Sequence, residues 1–236
     1  MALFTRTSKV DGNVSVAEIE DLSPKIRRLR IVGPSIKGMQ WVPGQKIKIQ
    51  AGPKLKSYIP ARIDSEQGWM DIIFHLHGNG LASDWASNVS IGEATHYIGP
   101  ANSMPFIDKL PDWALFFGDE TTVGLAIALI DALPPQVQAL GAIELEEQDM
   151  GALETTALSL TPVKRLDHHG EALLQWLNNA TLPDGEGIVW LSGEAGSIRD
   201  LKQALIKRGV RRDQLKMKAY WSTKGHAYRK ALQKTL

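Results

Sequence analysis

The sequence predicts a two-domain protein in which a small antiparallel β-barrel precedes a parallel α/β domain. Through the first hundred residues, short segments of alternating apolar and polar residues are separated by Gly and Pro, and no long helix interrupts them. After Gly99-Pro100 the pattern changes to strands that alternate with helices, as in a parallel sheet with crossover helices. The length of 236 residues allows two modest domains, which we place at residues 1–104 and 105–236.

Five segments of the first half have the strand pattern. Pro43-Gly44 and Gly52-Pro53 give the clearest turn signals between them. A short helix is expected to begin near Ala82, after a Gly-containing turn. Short strands without a long helix are typical of a small barrel. The predicted strands span residues 14–19, 26–32, 45–49, 70–76 and 94–98.

The second half predicts a Rossmann-like parallel sheet. Pro134-Pro135 ends its first predicted helix. The predicted strands span residues 113–117, 137–145, 163–166, 188–191 and 215–220. The predicted helices span residues 121–133, 170–178, 197–208 and 226–235.

The composition excludes several kinds of chemistry. The chain has no cysteine, so disulfides, thiolate-held iron–sulfur clusters and thiol catalysis are ruled out. The six histidines have no spacing typical of a metal site, and we predict none. No apolar run is long enough to span a bilayer, and no apolar stretch follows the N-terminus as in a signal peptide. We therefore expect a cytoplasmic protein whose electrons, if it handles any, are carried by a non-covalent organic cofactor.

Charge is unevenly distributed along a chain whose formal net charge is +1. Residues 110–163 carry nine acidic and no basic residues, whereas residues 199–236 carry twelve Lys and Arg against two Asp. Two interpretations stay open: two solvated faces of opposite sign, or a basic C-terminal region that attracts an anionic ligand. Nucleic acid is not expected, because aromatic residues are not interleaved with the basic ones.

Two motifs in the first half have features of a cofactor site. Tyr58 is followed four residues later by Arg62; a tyrosine ring can stack on a planar heterocycle, and an arginine can bind a pyrophosphate in a fork. Residues 75–86 run from a strand through a Gly-containing turn into a short helix, whose free N–H groups and Ser83 hydroxyl could receive phosphate oxygens. The plainer alternatives are a surface turn and a helix capped by Ser83 or Asp84.

These motifs, with others further along the chain, resemble those of the siderophore-interacting protein family. The resemblance covers nearly the whole chain, and the motifs occur in the family's order. They are Tyr58 to Arg62, His77-Gly78, Ala82-Ser83-x-Trp85-Ala86, Gly92, Gly99-Pro100, Gly118-Asp119-Glu120-Thr121, Trp190 to Glu194, and Tyr220-Trp221-Ser222-x-x-Gly225. The resemblance implies a ferredoxin-reductase-type fold with a six-stranded FAD-binding barrel, and a cytoplasmic enzyme that reduces ferric siderophores.

Carried over by position, the resemblance implies an FAD site in the first domain. Tyr58 is expected against the isoalloxazine and Arg62 near the pyrophosphate. The chain departs from the family at Lys56, Ile59 and Ala61, where arginine, threonine and another basic residue are usual, so less positive charge faces the pyrophosphate. The expected FAD-binding residues are Lys56, Tyr58, Ile59, Arg62, His75, His77, Gly78, Gly80, Ala82, Ser83 and Trp85.

The first βα turn of the second domain is acidic where such reductases usually bind a dinucleotide pyrophosphate in a Gly-rich turn. Asp119 and Glu120 suit the helix dipole but are expected to repel a phosphate, so NAD(P)H binding there is predicted to be atypical, weak or absent. The turn at residues 192–197 is a more permissive helix start. The donor, which is NADH, NADPH or reduced ferredoxin, is expected near Asp119, Glu120, Thr121, Ser192, Gly193 and Glu194.

The expected substrate is a ferric siderophore that lies at a roomy basic mouth and receives electrons from the flavin by outer-sphere transfer, without a covalent step or a general acid. Two other functions stay open: an NAD(P)H- or ferredoxin-linked flavin oxidoreductase without siderophore specificity, and a siderophore-binding protein without redox chemistry. We expect a monomer without membrane insertion. The candidate substrate-binding cations are Lys46, Lys48, Lys218, Lys224 and Arg229.

Overall fold

The structure is a computed structural model that describes residues 10–78 and 80–223. Its contacts divide the chain into two compact units. Of the described residues, the first unit holds those from 10 to 106 together with 127–132, and the second holds 107–126 and 133–223. Among the described residues, no helix is both long enough and apolar enough to cross a lipid bilayer.

The first unit is built on one curled antiparallel sheet of half-barrel form. Its seven strands lie in the order β4-β3-β7-β1-β2-β6-β5, and one helix, α1, lies between β6 and β7 along the chain. The bounds are β1 Val10–Ser23, β2 Ile26–Val32, β3 Lys46–Ala51, β4 Lys54–Tyr58, β5 Arg62–Asp64, β6 Trp69–His75, α1 Leu81–Asn88 and β7 Ala94–Ala101.

The sheet has one strand more than the six expected from the family resemblance. The sequence pattern missed β4 and β5, which lie at the two edges of the sheet. Four of the five β4 residues are exposed, so the strand lacks the apolar alternation that indicates a half-buried strand. β5 has only three residues, too few to show any period.

Alternation of buried and exposed residues is clearest in β3, whereas five consecutive residues of β6 are buried. In β3, Ile47 and Ile49 are fully buried while Lys48 between them is exposed. Ile72 and Phe74 of β6 join the same core, together with Tyr97 of β7. The Tyr97 hydroxyl donates to the Ser35 carbonyl oxygen at 3.0 Å, so its polar atom is satisfied inside the core.

An ion network connects β1, β2 and β6. Asp71 accepts hydrogen bonds from Arg28 at 3.1 Å and from Arg30 at 2.8 and 2.9 Å. Glu18 contacts both arginines from β1. The Arg30 guanidinium also lies 3.9 Å from the centre of the Trp69 ring, within cation–π distance. The Asp71 side chain is only 2% exposed, so its charge depends on these partners.

The second unit has a five-stranded parallel sheet in the order β10-β9-β8-β11-β12, as the alternation of strands and helices predicted. The bounds are β8 Trp113–Asp119, α2 Val123–Ile130, β9 Gln138–Leu145, α3 Ala152–Thr155, β10 Thr161–Lys164, α4 Glu171–Asn179, β11 Gly187–Glu194, α5 Ala195–Lys207 and β12 Leu215–Trp221; the last four residues of α2 belong to the first unit. The helix predicted over residues 226–235 lies outside the described residues. The sequence did not indicate α3, which has only four residues.

The order of this parallel sheet reverses between β8 and β11. From β8 the chain runs outward through β9 to β10, and then returns to the other side of β8 to form β11 and β12. Buried residues of α4 and α5, including Leu173 and Leu201, pack on the sheet beside Phe117 and Leu191. Ligands of open α/β sheets bind outside the carboxyl ends of the strands at such a reversal.

Candidate functional site

Three aromatic side chains of the first unit lie in a row. The Tyr58 ring, at the end of β4, has its centre 4.4 Å from that of Phe74 in β6. The Phe74 ring lies 5.7 Å from Trp85 in α1, and Trp85 donates through Nε1 to Glu93 at 2.9 Å. Burial raises the pKa of Tyr58 to about 12, so the phenol is neutral at physiological pH. Tyr58 is thus a partly exposed, uncharged ring that packs against Phe74, which in turn packs against Trp85.

The loop before α1 is shaped by glycine and by one serine. Gly78 and Gly80 have φ values of +71° and +124°, which favour glycine. The buried Ser83 accepts a hydrogen bond from the Gly78 N–H at 3.2 Å through Oγ. Among the described residues, no side chain caps the first turn of α1. Its N–H groups are therefore available to ligand oxygens.

The other expected FAD contacts are distributed unequally. Ile59 is buried, with 7% of its surface exposed, and belongs to the core of this unit. Arg62 is exposed, and its guanidinium pairs with the Asp131 carboxylate at 2.7 and 2.8 Å. His75 ends β6 and His77 lies beyond the strand, with 5.8 Å between the two ring centres.

Three of the lysines expected to bind FAD or substrate lie in the first sheet, on both of its faces. Lys56 pairs with Ile49 in the β3–β4 register and lies two residues from Tyr58, so it shares the face of that ring. Lys46 and Lys48 alternate with Ile47 and Ile49 and lie on the opposite face. Lys218 is in β12 of the second unit. Lys224 and Arg229 lie outside the described residues.

In the second unit, the Asp119 carboxylate lies at the reversal of the sheet and accepts four hydrogen bonds. Oδ1 accepts from the Thr121 N–H and hydroxyl at 3.0 and 2.5 Å, and Oδ2 accepts from the Glu194 N–H and the Trp221 indole N–H, both at 2.9 Å. Burial, and after it the Glu120 charge, raises the pKa of Asp119 to about 6, although these hydrogen bonds oppose the shift. Asp119 therefore connects the ends of β8, β11 and β12.

Gly193 makes room for this arrangement. Its φ is +108°, and a Cβ at this position would collide with the Asp119 carboxylate. Ser192 beside it donates its hydroxyl to the Lys218 carbonyl oxygen at 2.8 Å. Gly193 and Ser192 were expected at a donor site. In the structure they connect β11 to its neighbours, Gly193 by its close approach to Asp119 of β8 and Ser192 by its hydrogen bond to β12.

Glu120 is paired rather than presented to a ligand. The Arg165 guanidinium hydrogen bonds with its carboxylate, and Arg165 Nε lies 3.6 Å from Glu144. Glu144 in turn accepts from the Gly170 N–H at 3.0 Å, at the start of α4. The acidic turn thus has an internal counter-cation, which sequence reasoning missed. One indication of this pair was present in the sequence, since Arg165 lies just after the acidic segment 110–163 and directly follows β10.

Glu194 caps the helix that follows it. Oε2 accepts from the Ser197 N–H at 2.9 Å, and Oε1 accepts from the Thr223 N–H at 3.1 Å. The turn at residues 192–197 was expected to be a helix start that is open to a ligand. In the structure the Glu194 carboxylate caps α5 by accepting the Ser197 N–H.

A cavity of about 570 Å³ opens beside these carboxylates in the second unit. This volume is within the range of small-molecule sites. The cavity is lined by Asp167, His168, His169, Glu194, Gly196, Arg199, Asp200, Ser222 and Thr223. The His169 ring meets the Trp221 ring edge-on, with 4.8 Å between their centres. Among the described residues, no group of three His, Cys, Asp or Glu side chains is placed to hold a metal.

The loop and ring of the first unit fit a flavin dinucleotide. Tyr58 offers an aromatic face for a planar ring. At Gly78 a Cβ would meet no atom within 4 Å, so the backbone lies open to a ligand. The uncapped first turn of α1 suits phosphate oxygens.

Comparison with known proteins agrees with this fit. Residues 49–104 match the model of the siderophore-interacting FAD-binding domain, and residues 111–224 match that of the siderophore-interacting protein. FAD is therefore the cofactor of the first unit. The two matches do not overlap, and together they cover well over half of the chain.

Individual proteins show the same relationship. An NADPH-dependent ferric-chelate reductase of Escherichia coli is 23% identical over 193 residues, which are 79% of this chain and 71% of the relative. The siderophore-interacting protein SipS of Aeromonas hydrophila superposes with a TM-score of 0.77 at 22% identity, over 96% of this chain and 98% of that one. A ferredoxin reductase of carbazole 1,9a-dioxygenase superposes with a TM-score of 0.73 at 18% identity, over 92% of this chain and 71% of the other.

Coverage of the relatives is incomplete. Three mycobacterial proteins are 25% identical over 174 residues, and the aligned region is 61% of their length. The two structural superpositions confirm the predicted fold class, a ferredoxin-reductase-type β-barrel domain followed by a Rossmann-like parallel α/β domain. On the two family matches, the chain belongs to the siderophore-interacting protein family.

Proposed function

We propose that this protein is an FAD-dependent ferric-siderophore reductase that releases Fe(II) for cytoplasmic iron assimilation. The observation that carries the proposal is the match of residues 49–104 to the siderophore-interacting FAD-binding domain, on a structure whose ring and loop fit that cofactor. The relative from Escherichia coli is a ferric-chelate reductase by name, which supports the same substrate class.

The chemistry follows from the two oxidation states of the substrate iron. FAD, when bound, accepts an electron pair from a donor and supplies electrons singly to an acceptor. Fe(III) is a hard cation that binds hydroxamate or catecholate oxygens far more tightly than Fe(II) does, so reduction weakens the chelate. The protein needs no covalent step; its residues hold the cofactor and attract an anionic chelate.

Several residues of the FAD site have a proposed task. The Tyr58 ring supports the isoalloxazine, with Phe74 and Trp85 behind it. The first turn of α1 and the loop at Gly78 receive the pyrophosphate, and Ser83 keeps that loop in place. Lys56 adds positive charge on the face of Tyr58. Arg62 remains a proposed pyrophosphate contact, which requires its guanidinium to exchange the Asp131 carboxylate for phosphate oxygens.

A nicotinamide dinucleotide is the proposed electron donor. The Escherichia coli relative uses NADPH by name. Reduced ferredoxin is the second candidate, because Asp119, Glu120 and Glu194 hold the N–H groups or cations that a dinucleotide phosphate ordinarily binds.

The proposal is tested by steady-state reduction of one ferric hydroxamate and one ferric catecholate, with a ferrous chelator to report Fe(II). Donors are NADH, NADPH and a reduced ferredoxin. An equal concentration of free FAD with each donor is the control, since reduced flavin in solution also reduces iron. We expect protein-dependent Fe(II) formation with at least one donor and one chelate. A rate equal to that of free FAD in every combination would contradict the proposal.

A further inference from the structure

The cavity of the second unit lies beside the carboxyl end of β11, one of the two strands between which the strand order reverses. Glu194 ends β11, which neighbours β8, and both Glu194 and Thr223 line the cavity. This is the position at which open α/β sheets bind nucleotides. A donor nucleotide is therefore expected in this cavity, and the charges around it decide which nucleotide fits.

Carboxylates outnumber fixed cations in the cavity wall. Asp167, Glu194 and Asp200 line it against one guanidinium, that of Arg199. Asp200 already forms a bidentate salt bridge with that guanidinium. Arg199 Nε and Nη2 lie 2.7 and 3.0 Å from its two carboxylate oxygens. The cation that could receive a phosphate thus has an anionic partner of its own.

The backbone N–H groups beside the cavity also have carboxylate partners. Glu194 accepts from the Ser197 N–H at the start of α5. Glu144 accepts from the Gly170 N–H at the start of α4. Helix starts commonly offer such groups to phosphates, but here side chains of the protein already bind them.

We infer that this cavity receives the ribose of a nicotinamide dinucleotide with a free 2′-hydroxyl, so that the protein uses NADH in preference to NADPH. A hydroxyl can donate a hydrogen bond to a carboxylate, whereas a 2′-phosphate adds negative charge beside three carboxylates. The inference rests on the proposed use of a nicotinamide donor. In this inference Asp200 disfavours the 2′-phosphate in two ways: its charge repels the phosphate, and its ion pair keeps Arg199 from binding it.

The direct test is calorimetric binding of NAD⁺ and NADP⁺ to FAD-loaded protein. The two ligands differ only in the 2′-phosphate, and neither reduces the flavin. We expect NAD⁺ to bind at least about tenfold more tightly than NADP⁺, and kcat/KM to favour NADH over NADPH by a similar factor. Equal affinities, tighter binding of NADP⁺, or binding of neither ligand would overturn the inference.

The variant Asp200→Asn tests the assigned residue. It removes one negative charge from the wall and leaves Arg199 able to meet a phosphate, so NADP⁺ affinity should rise about tenfold while NAD⁺ affinity changes less than about threefold. Asp213→Asn is the matched control, because Asp213 also pairs with a neighbouring arginine, Arg211, but does not line the cavity. If both variants change the selectivity equally, or neither does, Asp200 is not the determinant.

Failure of this inference can be separated from failure of the proposed function. Flavin in the protein can be reduced with dithionite, which bypasses any nucleotide site. If the reduced protein then reduces a ferric siderophore but prefers NADP⁺, only the inference is wrong. If the reduced protein leaves the ferric siderophore unchanged, the proposed function is wrong.

Discussion

Ser83 shows how one small side chain can shape a cofactor site. It is buried, and its Oγ accepts the Gly78 N–H, so it fixes the loop that leads into α1. The Ser83 hydroxyl stabilises the loop rather than the helix, because its hydrogen-bond donor, the Gly78 N–H, lies outside α1.

We therefore predict that Ser83→Ala weakens FAD binding. Loss of one hydrogen bond costs about 1 kcal/mol, which corresponds to a rise in the FAD dissociation constant of about fivefold. Flavin fluorescence titration measures it. Ser87→Ala is the control, because Ser87 lies in the same helix and donates to the Ser83 carbonyl oxygen away from the loop. Equal FAD affinity in the two variants would contradict the role assigned to Ser83.

The ionisation of Asp119 is strongly affected by its surroundings. Burial and the neighbouring Glu120 raise its pKa to about 6 from an ordinary value of 3.8. A raised pKa means that the folded protein binds this proton more tightly than the unfolded chain does. The resulting stabilisation is present below about pH 4 and is lost as the pH rises through about 6.

The prediction is a pH-dependent difference between wild type and Asp119→Asn. The free energy of unfolding of the wild type, relative to the variant, should fall by about 3 kcal/mol between pH 3.5 and pH 7. The variant also replaces one carboxylate oxygen with an amide NH2 group, so either Thr121 or the pair Glu194 and Trp221 loses its acceptor, but that cost does not vary with pH. Urea unfolding at several pH values gives the difference, and a constant difference would show that Asp119 has an ordinary pKa.

Among single residues, the sequence predicted the position of those that belong to short local motifs. Tyr58 and Ser83 stand in short motifs beside a strand end and a helix start, and the structure places both there. The Arg165–Glu120 pair could not be predicted, because it joins residues 45 positions apart that only the parallel sheet brings together. For the same reason the four donors to Asp119, two of which lie beyond residue 190, had no signal in the sequence.

At the scale of elements, the ion network on β1, β2 and β6 stabilises the FAD-binding half. Asp71 is almost fully buried and has two arginine partners, whereas Asp21 is 57% exposed and pairs with Arg27 alone. Burial decides how much each carboxylate contributes, since a buried charge left without its partner is costly and an exposed pair is screened by water.

Asp71→Ala is therefore expected to lower the free energy of unfolding by about 3 kcal/mol, since it leaves Arg28 and Arg30 without their buried counter-charge. Asp21→Ala should lower it by less than about 1 kcal/mol. Chemical unfolding of both variants measures the difference. Equal effects would mean that the network adds no more than an exposed pair.

Periodicity predicted the elements that bury one face or are buried throughout. β3 and β6 carry apolar residues that the core needs, and β8 is buried along its whole length, so each was visible in the sequence. β4 and β5 could not be predicted from periodicity. Each is placed by hydrogen bonds to a neighbouring strand, and few of their side chains are buried. Edge strands of this kind leave little hydrophobic pattern.

For the whole molecule, the two units divide the expected tasks. The antiparallel unit contains the match to the FAD-binding domain, and the parallel unit has a cavity of about 570 Å³ beside the carboxyl end of β11. The fold class and the family could be predicted because motifs along nearly the whole chain occur in the family's order. Donor selectivity could not, since it depends on side chains of the cavity wall, such as Asp167 and Asp200, that come together only in the folded sheet.

The central claim is that FAD held by this protein delivers electrons to siderophore-bound iron. The most direct measurement is an anaerobic single turnover, in which FAD-loaded protein freed of excess flavin is reduced with dithionite and mixed with a ferric siderophore. We predict that the oxidised flavin absorbance returns and that two Fe(II) ions appear for each FAD, since the reduced cofactor carries two electrons. Flavin that stays reduced, with no Fe(II) formed from either a hydroxamate or a catecholate chelate, would contradict the claim.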